Sequence, residues 1–138
     1  MHLDHIGLSV GDLDAQAAWY QEVLGFTGSL RLDVPQAGLR IAFLQSEEGV
    51  AIELLQRDGS AHPPAPTELG TAVLTQGFGH ICLRVDDVAD AYERILRSGG
   101  RSLLPPSPAP EAGVTMCYTT DPEGNLIELL DRRHPVTG

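Results

Sequence analysis

The sequence predicts an α+β fold built from two tandem βαβββ modules with mixed sheets. Two stretches, one around His5 and one around His80, carry matching apolar and charged positions at a constant offset of 75 residues. In each stretch, a helical pattern separates a first strand from three later strands. Self-similarity at a fixed interval indicates an internal duplication. We expect both modules to share one domain, residues 1–138, because pieces of about 60 residues alone bury too little surface to be robust.

The first module, about residues 1–57, shows this order in its local patterns. Residues 3–10 alternate between apolar and small or polar side chains, as a strand does. Asp12 is a suitable N-cap for a helix that ends at Gly25. Three further strands are predicted near 26–34, 39–45 and 50–56, with Glu-Glu-Gly at 47–49 as the last hairpin turn.

The second module, about residues 77–132, repeats the order. A strand near 78–85 precedes a helix that is capped by Asp87 and closed by two glycines. Three strands follow near 101–104, 113–119 and 125–131, with Asp-Pro-Glu-Gly-Asn as the last tight turn. We expect two irregular segments: an exposed, partly extended connector at 58–76, and a long proline-rich loop at 104–113 beside the site.

Composition excludes several classes of function. A net charge of −10 and a pI near 4.7 argue against nucleic acid or an anionic membrane as a partner. All nine basic residues are Arg, so Schiff-base chemistry and Walker-type phosphate loops are excluded. Cys82 and Cys117 are too few for a disulfide framework, and no segment approaches the roughly 20 apolar residues of a membrane span. We therefore expect a cytoplasmic protein that acts on a small molecule.

A histidine and a glutamate recur at one spacing in both modules. His5 precedes Glu53 by the same 48 residues that separate His80 from Glu128. Strand parity places all four side chains on the sheet face opposite the helices. If the sheets curve into a cup, two imidazoles and two carboxylates converge, a set that suits one divalent ion of Zn, Ni, Co, Mn or Fe.

Three alternatives to an open metal centre remain. A lone strand histidine is more often a hydrogen-bonded structural residue, although four coincident positions favour a metal. Four protein ligands could also close a structural site, whereas a metal with five or six ligands would keep positions for water and substrate. A pocket that binds its ligand without metal is the third alternative.

Four motifs resemble the vicinal oxygen chelate superfamily, which includes glyoxalase I, methylmalonyl-CoA epimerase, extradiol dioxygenases, thiol transferases and bleomycin-resistance proteins. The motifs are Asp-His-Ile-Gly-Leu-Ser-Val, Trp-Tyr-Gln-Glu-Val-Leu-Gly-Phe, Gly-His-Ile-Cys-Leu-Arg-Val-Asp-Asp and Asp-Pro-Glu-Gly-Asn-Leu-Ile-Glu-Leu. The resemblance covers the chain from His5 to Leu130. A complete His, Glu, His, Glu set resembles glyoxalase I, while the epimerases typically carry Gln in place of Glu53.

The resemblance implies a metal-dependent isomerase or lyase. Such an enzyme binds a carbonyl-bearing substrate at the metal and moves a proton through an enediolate. Glu128 matches the glyoxalase base, and Glu53 would be a ligand and second acid or base. An Fe(II) extradiol dioxygenase, a thiol transferase and a metal-free antibiotic-binding resistance protein are the alternatives, and the first two would give Glu53 no ligand role.

Some residues depart from glyoxalase I. Ser9 stands where bacterial glyoxalase I tends to have an Arg that contacts glutathione, and Arg57 stands in place of an Asn. Gly7 and Ser9 look more like the epimerase group. Parity places Arg84 on the ligand face, where it could bind a substrate carboxylate or phosphate, or form a salt bridge at the rim. We expect Ser9 and Arg84 to contact substrate and the protein to be a homodimer, with the site formed within one chain or between two.

Overall fold

The computed structural model describes residues 2–74 and 76–136, apart from the side chain of Ser29. Within these residues, eight strands and two long α-helices follow one another in the predicted βαβββ order, and a third, short α-helix lies between the modules. The strands are β1 (His5–Ser9), β2 (Thr27–Val34), β3 (Leu39–Gln45), β4 (Ala51–Arg57), β5 (Ile81–Arg84), β6 (Arg101–Pro108), β7 (Thr115–Thr120) and β8 (Leu126–Leu130). The helices are α1 (Leu13–Leu24), α2 (Leu69–Ala72) and α3 (Val88–Arg97). The α+β prediction with two repeated modules is confirmed.

Both modules form a four-stranded mixed sheet with the same topology. The strand orders are β1-β4-β3-β2 and β5-β8-β7-β6. In each sheet the first strand runs parallel to the last, and the other pairs are antiparallel. The His-bearing segment and the Glu-bearing strand are therefore neighbours, although they are distant in sequence.

Each sheet buries one face against its helix. Helix α1 packs on β3 and β4, and α3 packs on β6, β7 and β8. The buried residues of α1 recur at helical spacing, and those of β4 alternate. They are Leu13, Gln16, Ala17, Trp19, Tyr20 and Val23 on the helix, and Ile52 and Leu54 on the strand. This parity leaves Glu53 on the opposite face, as predicted.

Side-chain caps fix the helix starts where the sequence predicts them. Oδ1 of Asp12 accepts hydrogen bonds from the backbone N–H groups of residues 14 and 15, and Asp87 caps α3 through the N–H of Asp90. Gly25 ends α1 with a φ of 75°, in the left-handed region that favours glycine. The buried Asp121 closes the last turn by accepting from the backbone N–H groups of Glu123 and Asn125.

The prediction of a long irregular loop at 104–113 is wrong in part. Residues 104–113 are not a long loop, because β6 continues to Pro108. Proline is tolerated there because β6 is an edge strand that pairs only with β7, with register shifts between Ser102 and Ser107. The connector at 58–76 includes the single helical turn α2.

The chain divides into two compact units, residues 1–63 and 64–138, and the division falls inside the predicted connector. Each unit contains one sheet and its long helix. Within the described ranges, no helix has both the length and the apolar character needed to cross a membrane.

Candidate metal centre

The first half of the candidate site joins strands β1 and β4. Residue 7 pairs with Glu53, which places His5 two residues away along the neighbouring strand and on the same face. Nε2 of His5 lies 3.4 Å from Oε2 of Glu53. The histidine side chain is 35% exposed and the glutamate side chain 17%. Both groups are therefore held together yet remain accessible to an ion.

The second half repeats this arrangement with a shorter distance. Cys82 pairs with Glu128 across β5 and β8, and His80 directly precedes β5 rather than lying inside it as predicted. Nε2 of His80 lies 3.0 Å from Oε2 of Glu128, and the two side chains are 31% and 13% exposed. The four predicted ligands thus form two pairs, one in each unit.

The spacing of each pair fits two ligands of one cation. Two atoms that each lie about 2.1 Å from a metal, at angles between octahedral and tetrahedral, are about 3.0–3.4 Å apart. Neutral imidazole nitrogen and carboxylate oxygen are also donors that Zn, Ni, Co, Mn and Fe accept. Across residues 2–74 and 76–136, no three His, Cys, Asp or Glu side chains form a metal-binding group. A centre with all four ligands stays a prediction that requires both pairs to meet.

An aromatic ring accompanies each pair, which sequence reasoning missed. Phe43 pairs with Glu53 across β3 and β4, and its ring meets that of His5 edge-on at 5.3 Å between centroids. Tyr118 pairs with Glu128 and meets His80 at the same distance. Phe43 and Tyr118 obey the 75-residue offset of the duplication, so the repeat itself contained the signal. Each ring limits how the adjacent imidazole can turn.

The carboxylate of Glu128 has polar neighbours that differ from those of Glu53. Burial raises the pKa of Tyr118 to about 12, and the charge of Glu128 and hydrogen bonding to it act in the same direction. Burial and the same carboxylate raise the pKa of the Cys82 thiol to about 12. Tyr118 and Cys82 are therefore neutral at physiological pH, and both present a polar hydrogen beside the Glu128 carboxylate.

In the first half of the site, the supporting side chain contacts the histidine instead of the glutamate. Nδ1 of His5 lies 2.7 Å from Oδ1 of Asp4, and this hydrogen bond is the main reason that the pKa of His5 is raised. A proton on Nδ1 leaves Nε2 with its lone pair directed toward the Glu53 side. Histidines that bind a metal through one ring nitrogen typically have a hydrogen-bond partner on the other ring nitrogen. Gly79 occupies the corresponding position before His80, so this support is specific to the first half.

The predicted substrate contacts lie on the first strand of each module. Ser9 ends β1 and Arg84 ends β5, and both residues are exposed. Arg132, which sequence reasoning did not assign to the site, lies close enough to Glu128 and Cys82 for their charges to raise its pKa, although hydrogen bonding to Glu111 is the main cause. Nε of Arg132 lies 3.0 and 2.9 Å from the two Glu111 oxygens. This ion pair ties the turn before β7 to the segment after β8.

The chain is similar to proteins of one superfamily along nearly its full length. The family model described as Glyoxalase/Bleomycin resistance protein/Dioxygenase superfamily matches residues 2–129. A lactoylglutathione lyase from Escherichia coli O157:H7 is 34% identical over 96% of this chain and 94% of the relative. A lactoylglutathione lyase from Haemophilus influenzae is 31% identical over 100% of this chain and 98% of the relative.

Solved structures show the same similarity. Glyoxalase I from Zea mays has a TM-score of 0.77 and is 28% identical over 96% of this chain, which spans 45% of the length of the maize chain. A glyoxalase family protein from Bacillus cereus has a TM-score of 0.78 at 20% identity over 95% of this chain and 93% of its own, a likeness of fold. The duplicated βαβββ sheets, the repeated His and Glu pairs and the match over residues 2–129 together establish that this chain belongs to the Glyoxalase/Bleomycin resistance protein/Dioxygenase superfamily.

Proposed function

We propose that this protein is a divalent-metal-dependent lyase or isomerase of the glyoxalase I type, acting on a small carbonyl-bearing substrate. The observation that carries the proposal is the duplicated His and Glu pair, each at the distance of two adjacent metal ligands. The relatives named lactoylglutathione lyase, at 31–34% identity over almost the whole chain, support the same activity.

The names of the relatives suggest the substrate class. Lactoylglutathione is a thioester with a hydroxyl group on the carbon next to its carbonyl. Its isomer is the thiohemiacetal of a 2-oxoaldehyde, in which the hydroxyl-bearing carbon carries the sulfur. One proton leaves that carbon, an enediolate forms, and a proton is delivered to the neighbouring carbon. The hydroxyl proton moves from the oxygen of the first carbon to the oxygen of the second, which leaves the thioester carbonyl and the new hydroxyl group. Atoms and electrons balance without an oxidant or reductant.

His5, Glu53, His80 and Glu128 would hold the metal. When bound, the ion supplies positive charge that stabilises the oxygens of the enediolate. Glu128 is the proposed base that takes the proton from the substrate carbon, and Glu53 is the counterpart that can act on the opposite face. Both carboxylates are mostly buried, a setting in which a carboxylate is shielded from bulk water.

Ser9 and Arg84 are the proposed substrate contacts. Each ends the first strand of its module, and the two occupy equivalent positions of the duplication. Arg84 supplies a positive charge suited to a carboxylate or phosphate of the substrate. Because Ser9 and Arg57 depart from the glyoxalase pattern, the thiol that forms the thiohemiacetal substrate could be glutathione or another small thiol.

The proposal requires the two pairs to meet. They can do so within one chain, or between two copies in a homodimer, in which each copy would complete the other's site. Measuring the oligomeric state and the metal content separately distinguishes these two arrangements from a site in which the pairs do not meet.

The test begins with metal-free protein, to which Zn, Ni, Co, Mn or Fe(II) is added in turn. We expect one equivalent of metal per four-ligand site and metal-dependent loss of the thiohemiacetal formed from methylglyoxal and glutathione. Other thiols in place of glutathione define the thiol preference. Glu93→Gln, a change at an exposed residue of α3, is the matched control and should keep both properties.

Two results would contradict the proposal. Less than about one tenth of an equivalent of each metal after reconstitution would instead favour a metal-free binding protein. Oxygen uptake with catechols, together with full activity of Glu53→Gln, would favour an Fe(II) dioxygenase.

A further inference from the structure

The two halves of the site are equivalent in backbone and ligands but differ in what supports them. Gly7 and Phe43 flank Glu53, and the corresponding positions beside Glu128 are Cys82 and Tyr118. Gly7 has no side chain, and the ring of Phe43 has no polar atom. At both of these positions, Glu128 therefore has a neighbouring side chain with a hydrogen-bond donor, and Glu53 does not.

Tyr118 lies beside both residues of the second His and Glu pair. It is the direct cross-strand partner of Glu128, and its hydroxyl lies close enough to that carboxylate for Glu128 to help raise the pKa of the tyrosine. Its ring meets the His80 ring at 82° with 5.3 Å between centroids. One tyrosine thus contacts both predicted ligands of the second half. A donor fixed by a strand backbone restricts the rotation of the carboxylate that accepts from it.

We propose that Tyr118 is a positioning residue that orients Glu128 for proton transfer and makes the two carboxylates of the duplicated site functionally unequal. This inference rests on the proposed function. Glu128 keeps one orientation because Tyr118 and Cys82 donate to it, while Glu53 has a wider choice of orientation.

The first half is supported in the complementary way, which strengthens the inference. Asp4 fixes the His5 ring at 2.7 Å, and Gly79 offers no such partner to His80. The duplication has therefore diverged so that one half restrains its histidine and the other its glutamate. Outer partners of this kind typically change metal affinity or activity by about 10–100-fold.

The experiment compares Tyr118→Phe with wild-type protein, first without metal. Because the ring is kept, the variant should fold and melt within a few degrees of wild type. The ¹³C chemical shifts of the Glu128 and Glu53 carboxyl carbons are measured at one fixed pH. We expect the Glu128 signal to move and the Glu53 signal to stay. Phe43→Tyr supplies the missing donor to Glu53 and should move the Glu53 signal instead.

The second readout uses the metal-loaded enzyme. We expect Tyr118→Phe to lower kcat by about tenfold or more, with KM within about twofold. Tyr92→Phe removes the same hydroxyl from α3, which packs on the other face of the sheet, and should leave kcat and KM unchanged.

The outcomes separate this inference from the proposed function. An unmoved Glu128 carboxyl signal in Tyr118→Phe would overturn the inference whatever the activity. A moved signal with unchanged kcat would overturn the positioning role. If wild-type protein binds no metal and converts no thiohemiacetal, the proposed function fails and the positioning role fails with it, while the carboxyl shift still reports whether the hydrogen bond exists.

Discussion

Nε2 of His80 lies 3.0 Å from Oε2 of Glu128, although 48 positions separate the two residues along the chain. The parallel pairing of β5 with β8 produces this proximity, and β1 with β4 produces the same for His5 and Glu53. A shared topology has thus built the same two-residue arrangement twice.

Neutralising either carboxylate should weaken metal binding. We expect Glu53→Gln and Glu128→Gln each to raise the metal Kd by about 100-fold or more, since a charged ligand is lost rather than an outer partner. Calorimetric titration of metal-free protein measures this, with Glu93→Gln as the control. Unchanged affinity in Glu53→Gln alone would indicate a three-ligand centre.

A buried glutamine in helix α1 should be replaceable with a gain in stability. Gln16 is 2% exposed, and within the described part of the chain its amide nitrogen and oxygen have no hydrogen-bond partner. Such buried polar groups lose their hydrogen bonds to water on folding and gain none in return. Gln16→Met should therefore raise the free energy of unfolding by about 1–2 kcal/mol. Urea denaturation measures the change.

Gln56 is the matched comparison, because its Oε1 accepts a hydrogen bond of 2.9 Å from the backbone N–H of Leu13. Gln56→Met leaves that helix N–H without this acceptor and should lower the free energy of unfolding by about 1–3 kcal/mol. Equal effects of the two substitutions would contradict the assignment of Gln16 as unsatisfied.

An exposed ion-pair cluster should give acid-sensitive stability. The hydrogen bonds from Arg40 and Arg31, at 2.9 and 2.6 Å, lower the pKa of Asp14 below its usual 3.8. Because the pKa of Asp14 is lower in the folded protein than in the unfolded chain, the ionised carboxylate stabilises the fold at pH values above its unfolded pKa. This stabilisation is lost as the pH falls through the folded pKa. The Tm difference between wild type and Asp14→Asn should therefore shrink below about pH 4 and at high salt. Glu22→Gln, an exposed change on the same helix, should show no such pattern.

The Cys82 thiol should react slowly in the metal-free protein. Its pKa of about 12, against an ordinary 9.0, lowers the thiolate fraction at pH 8 by about three orders of magnitude. We expect iodoacetamide to label Cys82 at least about 100-fold more slowly than a free thiol, measured by peptide mass spectrometry. Glu128→Gln should accelerate labelling, because the carboxylate contributes to the raised pKa. Labelling at the rate of a small-molecule thiol would contradict the proximity to Glu128.

Local chemistry explains why most elements were predictable. The caps at Asp12 and Asp87 and the turn at Asp121 depend on hydrogen bonds within four residues, which sequence patterns record directly. The proline-rich segment was mispredicted because proline is tolerated in a strand mainly at an edge or a bulge, and neither strand order nor register is a local property.

The sequence by itself determined the duplication, the parity that separates Glu53 and Glu128 from the helix-packed face, and the identity of the candidate ligands. Periodicity suffices for these because side-chain direction repeats every two residues in a strand. Only the tertiary structure decided that Tyr118 reaches Glu128 while Phe43 offers Glu53 no donor, and that Asp4 supports His5. Those contacts depend on cross-strand register and side-chain rotamers, through which two nearly identical halves acquire different surroundings.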